Sequence, residues 1–183
     1  MSSPAFISQA SRWKRFALPI IGLLGLALLP WMIFRWSNPD RQLSQKQTAF
    51  FQALERRRAS NVEDLLSLTY RDQWQFDRNS AVLAMQDATS HFISLAFQPI
   101  DLRTKRTGRE AVTTARLQVS GSGTPLAGEV IRQINTLRTP FVFTWKRESI
   151  WPSSWRLVKI ENAALSLPPG YEPGTLRGLN SLP

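Results

Sequence analysis

Residues 16–34 read FALPIIGLLGLALLPWMIF, nineteen consecutive positions without a charge or a strongly polar side chain. Nothing else in the chain restricts its folding as much. A helix of that length rises roughly 29 Å, close to the hydrocarbon thickness of a bilayer. A helix packed in a small soluble core keeps a polar face, and this run has none. Trp13, Trp31 and Trp36 lie near its ends, where amphipathic rings favour the headgroup region. Pro19 falls in the first turn, where its missing N–H costs little, and Pro30 kinks or ends the helix near its far side. The far flank, with Trp31, Met32, Phe34, Arg35 and Trp36, offers no small-x-small site for removal of a signal peptide. A helix lying in the membrane plane would need a charged face. The sequence therefore predicts a single-pass signal anchor over 16–36, preceded by a basic tail over 1–15.

Charge sets the expected direction of that anchor. Arg12, Lys14, Arg15 and the amino terminus press against its start, whereas Arg35, Arg41 and Lys46 follow it more loosely. The positive-inside rule then predicts a cytoplasmic N-terminus. The C-terminal domain is expected on the periplasmic or extracytoplasmic side of the cell (inner) membrane. Lys and Arg outnumber Asp and Glu by 23 to 13, so the domain itself stays basic once the tail is set aside. A basic surface draws anionic lipid headgroups, nucleic acid or an acidic protein, although a merely well-solvated surface explains the charge as well. Cysteine is absent, which excludes disulfides, thiolate metal sites and cysteine nucleophiles.

Ser37-Asn38-Pro39-Asp40 is a turn signal, giving a linker over 37–42 and a soluble domain over 43–165. A helical stripe of Ala49, Phe50, Ala53 and Leu54 runs through 43–60. Asn61 is placed to cap a short second helix carrying Val62, Leu65, Leu66 and Leu68. Asn79 or Ser80 opens a third helix to about residue 95, with Val82, Leu83, Met85, Phe92 and Ile93 as core. After Pro99 the period changes from 3.6 to 2. Strands are predicted near 100–105, 111–119, 129–137, 141–146 and 155–160, joined by short connections that imply hairpins. The expected architecture is α+β: a transmembrane helix, then three helices packed on a curved antiparallel sheet of four to five strands. The 166–183 segment, rich in proline and glycine, is expected to be extended or disordered.

This order of elements, with a long first helix and a strand over Trp155-Arg156-Leu157-Val158, resembles the nuclear transport factor 2-like (cystatin-related) superfamily. The resemblance implies helices along one side of a strongly bent sheet, with a cone-shaped cavity between them. It covers about residues 42–165. Enzymes of that group generally place an Asp or His base in the cavity, and others are carriers or inert assembly domains, so no activity follows from the fold alone. An anchor followed by such a domain is also similar in architecture to bitopic inner-membrane subunits of bacterial type IV secretion systems.

Candidate chemistry is sparse. His91 is the single histidine, and Asp87 precedes it by one turn, so a carboxylate-oriented base is chemically reasonable. An exposed i, i+4 surface pair is the simpler expectation. Tyr70, Asp72, Trp74 and Asp77 form the densest polar-aromatic patch. With His91 they are the candidate lining of a ligand pocket, with Asp72, Asp77 or His91 as base. As structure, Trp74 and Phe76 would plug the core while the aspartates pair with Arg71, Arg78 or a helix N-terminus. Trp145, Trp151 and Trp155 are expected to pack across one hairpin. Arg56-Arg57-Arg58 form one basic cluster. Arg103, Lys105, Arg106 and Arg109 form another on a predicted hairpin tip, where lipid headgroups or an acidic protein would meet them. No glycine-rich phosphate loop, His-rich metal spacing or nucleophile elbow is present, so no metal or cofactor is expected. Nucleic acid is not expected either, because the aromatics read as core. The leading expectation is a membrane-anchored, non-catalytic domain for protein binding or assembly of an envelope complex. The alternative is a membrane-tethered small-molecule binder, or an isomerase/dehydratase-type enzyme using the cavity.

Overall fold

The computed structural model describes residues 38–176. The basic tail and the anchor predicted over 1–36 lie outside the described residues. Among the described residues no helix is long and apolar enough to cross a membrane. The domain is α+β, with four helices and one four-stranded antiparallel sheet. Helix α1 spans Pro39–Glu55, α2 Ala59–Leu65 and α3 Arg78–Ser90; β1 spans Phe92–Thr107, β2 Glu110–Gly123, α4 Pro125–Thr136, β3 Phe141–Arg147 and β4 Trp155–Glu161. The strands lie side by side in chain order.

Helix α1 forms because Leu43, Gln47, Phe50 and Ala53 recur at helical spacing and are all buried, which gives it one face to lay on the sheet. It begins four residues earlier than the stripe suggests, with Pro39 in the first turn, where proline is tolerated. Helix α2 starts at Ala59, and Asn61 does not cap it, since the N-cap is Arg58. Helix α3 has a true cap: the Asp77 carboxylate accepts from the Ser80 N–H at 2.8 Å, two positions before Asn79, the earlier of the expected opening residues.

Two expected elements are corrected. Helix α3 ends at Ser90, and Phe92 already pairs with Gly123 as the first rung of β1. Phe92 is buried, but Ile93 is exposed and not core. The close approach of β1 depends on two glycines in β2. A Cβ on Gly121 or Gly123 would stand 2.1 Å from the Ser94 or His91 carbonyl oxygen.

The predicted strand over 129–137 is instead helix α4. Val130, Ile131 and Ile134 are β-branched and favour strands locally, but with Ala127 they recur at intervals of three and four. Pro125 stands at the helix start. The helix covers the part of β2 that β3 does not reach, because β2 pairs with β3 only from Glu110 to Ala115. Asn135 completes the cover: its Oδ1 accepts from the Val119 N–H at 2.7 Å and its Nδ2 donates to the Val119 carbonyl at 2.9 Å. The β2–β3 connection is therefore long and carries a helix, while the two strands remain antiparallel neighbours.

The sheet bends at a bulge between Ile100 and Arg103, where Asp101 takes φ +55°. The outer edge of β4 is closed by the 67–73 segment, whose Ser67, Arg71 and Gln73 N–H groups donate to the Leu157, Val158 and Ile160 carbonyls. The core lies between the helices and the concave face, and Leu43, Phe50, Leu66, Trp145, Trp155 and Leu157 are its largest fully buried apolar side chains. The segment after Leu165 is not loose where it is described: Tyr171 stacks edge-on against Phe76 at 6.2 Å and the chain returns to α3.

Candidate functional site

Aromatic rings fill the deep part of the space between the helices and the bent sheet, and a cavity of about 400 Å³ stays open between α1 and β1, lined by Asp40, Leu43, Ser44, Gln47, Leu102, Thr104 and Arg106. Phe50 makes edge contacts with Phe51, Phe143 and Trp145 at centroid distances of 5.7, 6.2 and 6.3 Å. Phe51 continues the cluster to Phe97 and Phe143. Between α1, α2 and α3 a gap of about 10 Å³ remains, at the lower limit for one water molecule. Polar side chains on this face are engaged with one another: Gln47 Nε2 donates to Thr113 Oγ1 at 2.7 Å, and Thr113 and Thr104 hydroxyls lie 3.1 Å apart.

The 70–77 patch is built as a tight loop. Buried Asp72 accepts from the Trp74 and Phe76 N–H groups through Oδ1 at 3.0 and 2.9 Å, and the Tyr70 hydroxyl reaches its Oδ2 at 3.4 Å. Burial raises the Asp72 pKa, and the two backbone N–H groups pull it back down. Burial, followed by the Asp72 charge, pushes the Tyr70 hydroxyl well above its ordinary range. Asp77 faces solvent at the α3 N-terminus, and the Ser80 hydrogen bond holds its pKa below the usual carboxyl value. The two aspartates therefore do not converge on a shared space. Trp74 is half-buried and its indole N–H donates to the Leu165 carbonyl at 3.3 Å.

Asp87 and His91 are not an exposed pair. Both are buried, and Asp87 turns to the C-terminal segment: its Oδ2 accepts from the Tyr171 hydroxyl at 3.0 Å and from the Gly174 N–H at 2.7 Å. Among the described residues neither Asp87 Oδ1 nor His91 Nε2 has a hydrogen-bond partner. The Tyr171 hydroxyl is raised far above its ordinary pKa by burial and by its bond to Asp87.

A surface groove of about 520 Å³ runs beside the 70–77 loop, lined by Gln73, Trp74, Phe76, Asn162, Leu165 and Tyr171. No local signal marks Asn162 or Gln73, which lie 89 residues apart and meet only in the fold. Asn162 Oδ1 accepts from Thr139, Ala164 and Leu165, and Gln73 Nε2 donates to the Asn162 and Leu165 carbonyls.

The basic residues fall at the tip of the β1–β2 hairpin, where Gly108 supplies the positive φ that a two-residue turn needs. Arg103, Lys105, Arg106 and Arg109 are all exposed. They do not act alike. Arg106 lies on the α1 side and pairs with Asp40 at 2.5 Å, and the Arg109 guanidinium donates to the Arg147 carbonyl at 3.1 Å. Of the three hairpin tryptophans, Trp145 and Trp155 are buried as expected, but Trp151 stands 65% exposed beside Ile150 at 81%. No group of three or more metal-ligating side chains gathers among the described residues.

No family model matches the sequence, and no curated protein does. Solved structures match by shape. Bd1075 from Bdellovibrio bacteriovorus superposes with a TM-score of 0.53 at 9% identity, over 69% of this chain and 40% of that longer one. A candidate dehydratase of the NTF2-like family from Streptomyces avermitilis gives 0.51 at 15% identity over 68% and 95% of the two chains. An NTF2-like protein of unknown function from Pseudomonas putida gives 0.51 at 10% identity over 68% and 85%. Identities this low speak to architecture and not to chemistry, and the architecture that they share with about two thirds of this chain is the nuclear transport factor 2-like (NTF2-like) fold.

Proposed function

We propose that this chain is a membrane-anchored, non-catalytic domain that binds a partner protein and helps assemble an envelope complex. One observation carries the reading: the interior is packed with Phe50, Phe51, Phe143 and Trp145, and the single acid lining the space left open between α1 and β1, Asp40, is paired with Arg106. Each acidic candidate also has a structural duty. Asp72 ties the 70–77 loop, Asp77 caps α3 and Asp87 holds the C-terminal segment. The nineteen-residue apolar run and its flanking cations support a single span with the N-terminus in the cytoplasm and the domain outside it.

A second reading, a tethered small-molecule binder, is favoured by the groove beside Trp74 and Tyr171. The candidate dehydratase among the shape neighbours belongs to that class. The two readings separate in one experiment. Photo-crosslinking residues are placed at Gln98 and Gln118, exposed partners on the outer face of β1 and β2, in the full chain within native membranes. The expected result is a discrete adduct with a second protein. A chain that forms no adduct from this face and instead turns over a small molecule, with the turnover lost on substitution of Asp72, overturns the assembly reading.

A further inference from the structure

The end of the domain at which the described chain begins carries both exposed apolar side chains and cations. Several contacts place these groups together. Asp40, in the first turn of α1, pairs with Arg106 near the tip of the β1–β2 hairpin. The Arg147 N–H donates to the Arg109 carbonyl at 2.8 Å, and the Arg109 guanidinium returns a bond to the Arg147 carbonyl. These bonds set the β3–β4 loop, 148–154, directly beside that tip. Ser67 Oγ donates to Glu148 Oε1 at 2.6 Å, which brings Leu68 to the same end. Leu68, Ile150 and Trp151 are 82%, 81% and 65% exposed. The loop that presents Ile150 and Trp151 is not slack. Ser154 bonds the Trp151 carbonyl at 2.7 Å and the Ser149 carbonyl at 3.2 Å, and the Ser149 hydroxyl receives the Trp151 N–H. A braced loop that holds an isoleucine and a tryptophan in solvent needs an apolar place for them to go.

Charge identifies that place. Lys105 and Arg109 make no ion pair among the described residues. The acids nearby are Asp40, held by Arg106; Glu110, 4.0 Å from Lys146; and Glu148, which accepts from Ser67. Tryptophan with an aliphatic neighbour, ringed by lysine and arginine, fits the zone between acyl chains and headgroups. The apolar run ends at residue 34 and α1 begins at Pro39, so only 35–38 separate a span from this end of the domain.

We infer that the end formed by the two hairpin tips, with Ile150 and Trp151 as the inserted pair and Lys105 and Arg109 as headgroup contacts, docks on the surface of an anionic bilayer. The inference rests on the anchored reading above, because the tether supplies the local concentration that makes a small wedge effective. Docking orients the domain, leaving the outer sheet face at Gln98 and Gln118 turned sideways for a partner.

The absence of cysteine makes the test direct. The full chain carrying Ile150→Cys is labelled with an environment-sensitive fluorophore and reconstituted into phosphatidylcholine vesicles with or without phosphatidylglycerol. Ser120→Cys, exposed near the opposite end of β2, is the reference. The label at position 150 is expected to shift to the blue with phosphatidylglycerol, and the label at 120 to stay in water. Lys105→Glu and Arg109→Glu should each weaken docking by about five-fold or more, the effect expected of one surface cation, and raised salt should act in the same direction. A label at 150 that stays in water while the chain resists alkaline extraction overturns docking and leaves the anchor intact. A chain that alkali extracts but whose label still responds to phosphatidylglycerol supports docking and removes the anchor. A shift seen in native membranes and never in pure lipid assigns the patch to a protein and overturns the inference.

Discussion

Two aspartates five residues apart show how little a residue type says without its surroundings. Asp72 is buried and its pKa is raised by that burial, whereas Asp77 is in solvent and its pKa is lowered by the Ser80 hydrogen bond. Their effects on stability therefore run in opposite directions with pH. A lowered folded-state pKa means that Asp77 contributes stability above the ordinary carboxyl pKa, and the contribution disappears as pH falls through the folded value. A raised folded-state pKa means that the domain takes up a proton at Asp72 more readily than the unfolded chain does. This term weakens folding as pH rises from the unfolded value through the folded one. Asn preserves the acceptor oxygen at both sites and removes the titration. The stability lost in Asp77→Asn, measured by denaturant titration at a series of pH values, should be greatest near neutrality, begin to shrink as pH falls below the ordinary carboxyl value of about 4, and vanish below the lower folded value. Asp72→Asn should show the reverse slope, with the wild type gaining on the variant as pH falls. Parallel curves for the two variants would contradict both assignments. That one of these residues caps a helix was legible, since Asp before a helical run is a common start signal. The burial of Asp72 was not legible, because the 67–73 segment that carries it is laid along β4 by backbone bonds between residues far apart in the chain.

At the level of elements, periodicity identified the stripe of α1 and the alternation of β1 to β4, and it failed where two signals competed. Over 129–137 the β-branched residues favour a strand locally, against a spacing of three and four that belongs to helix α4. The decisive physical fact lay elsewhere in the chain: β3 is short, and the uncovered length of β2 needs a lid with an amide at Asn135 to satisfy Val119. The α3–β1 boundary failed for a related reason. Phe92 and Ile93 continue an apolar pattern, but Gly123 lets the backbone of β1 close onto β2 immediately after His91. Thr124 then donates its N–H to the His91 carbonyl at 2.9 Å. This junction makes a sharp prediction. A methyl group on Gly123 would meet the His91 carbonyl oxygen at 2.1 Å and Ala127 Cβ at 2.9 Å; the first is held by the Thr124 N–H and the second lies within helix α4. Gly123→Ala should lower unfolding free energy by about 1–3 kcal/mol, the cost expected of overpacking. Gly128→Ala, where a Cβ meets nothing within 4 Å, should stabilise α4 slightly through helix propensity. Thermal denaturation of the two variants side by side checks the pair, and equal effects would mean that the β2–α4 corner yields to an added methyl group.

For the whole molecule, the direction of the proposed anchor decides which compartment supplies the partner. The cations before the apolar run are close together and close to the membrane, whereas those after it are spread over twelve residues from Arg35 to Lys46. The fold bears on that asymmetry. Arg41 and Lys46 belong to helix α1, and Lys46 is partly buried, so that desolvation lowers its pKa ahead of repulsion from Arg156. A lysine held within a folded helix is less able to act as a free juxtamembrane charge once the domain has formed. Insertion reads the unfolded chain, however, and there the short N-terminal tail with Arg12, Lys14 and Arg15 faces a long soluble segment that translocates largely regardless of its charge. The expected topology follows. A reporter fused after Pro183 should be active only outside the cytoplasm, and replacing Arg12, Lys14 and Arg15 by neutral residues should produce a population with the reporter inside. Cytoplasmic activity from the unaltered chain would reverse the localisation and place the hairpin tips on the inner leaflet. It would leave the lipid docking at Ile150 and Trp151 intact, because that contact depends on the nearness of the domain to a bilayer and not on the side from which it approaches.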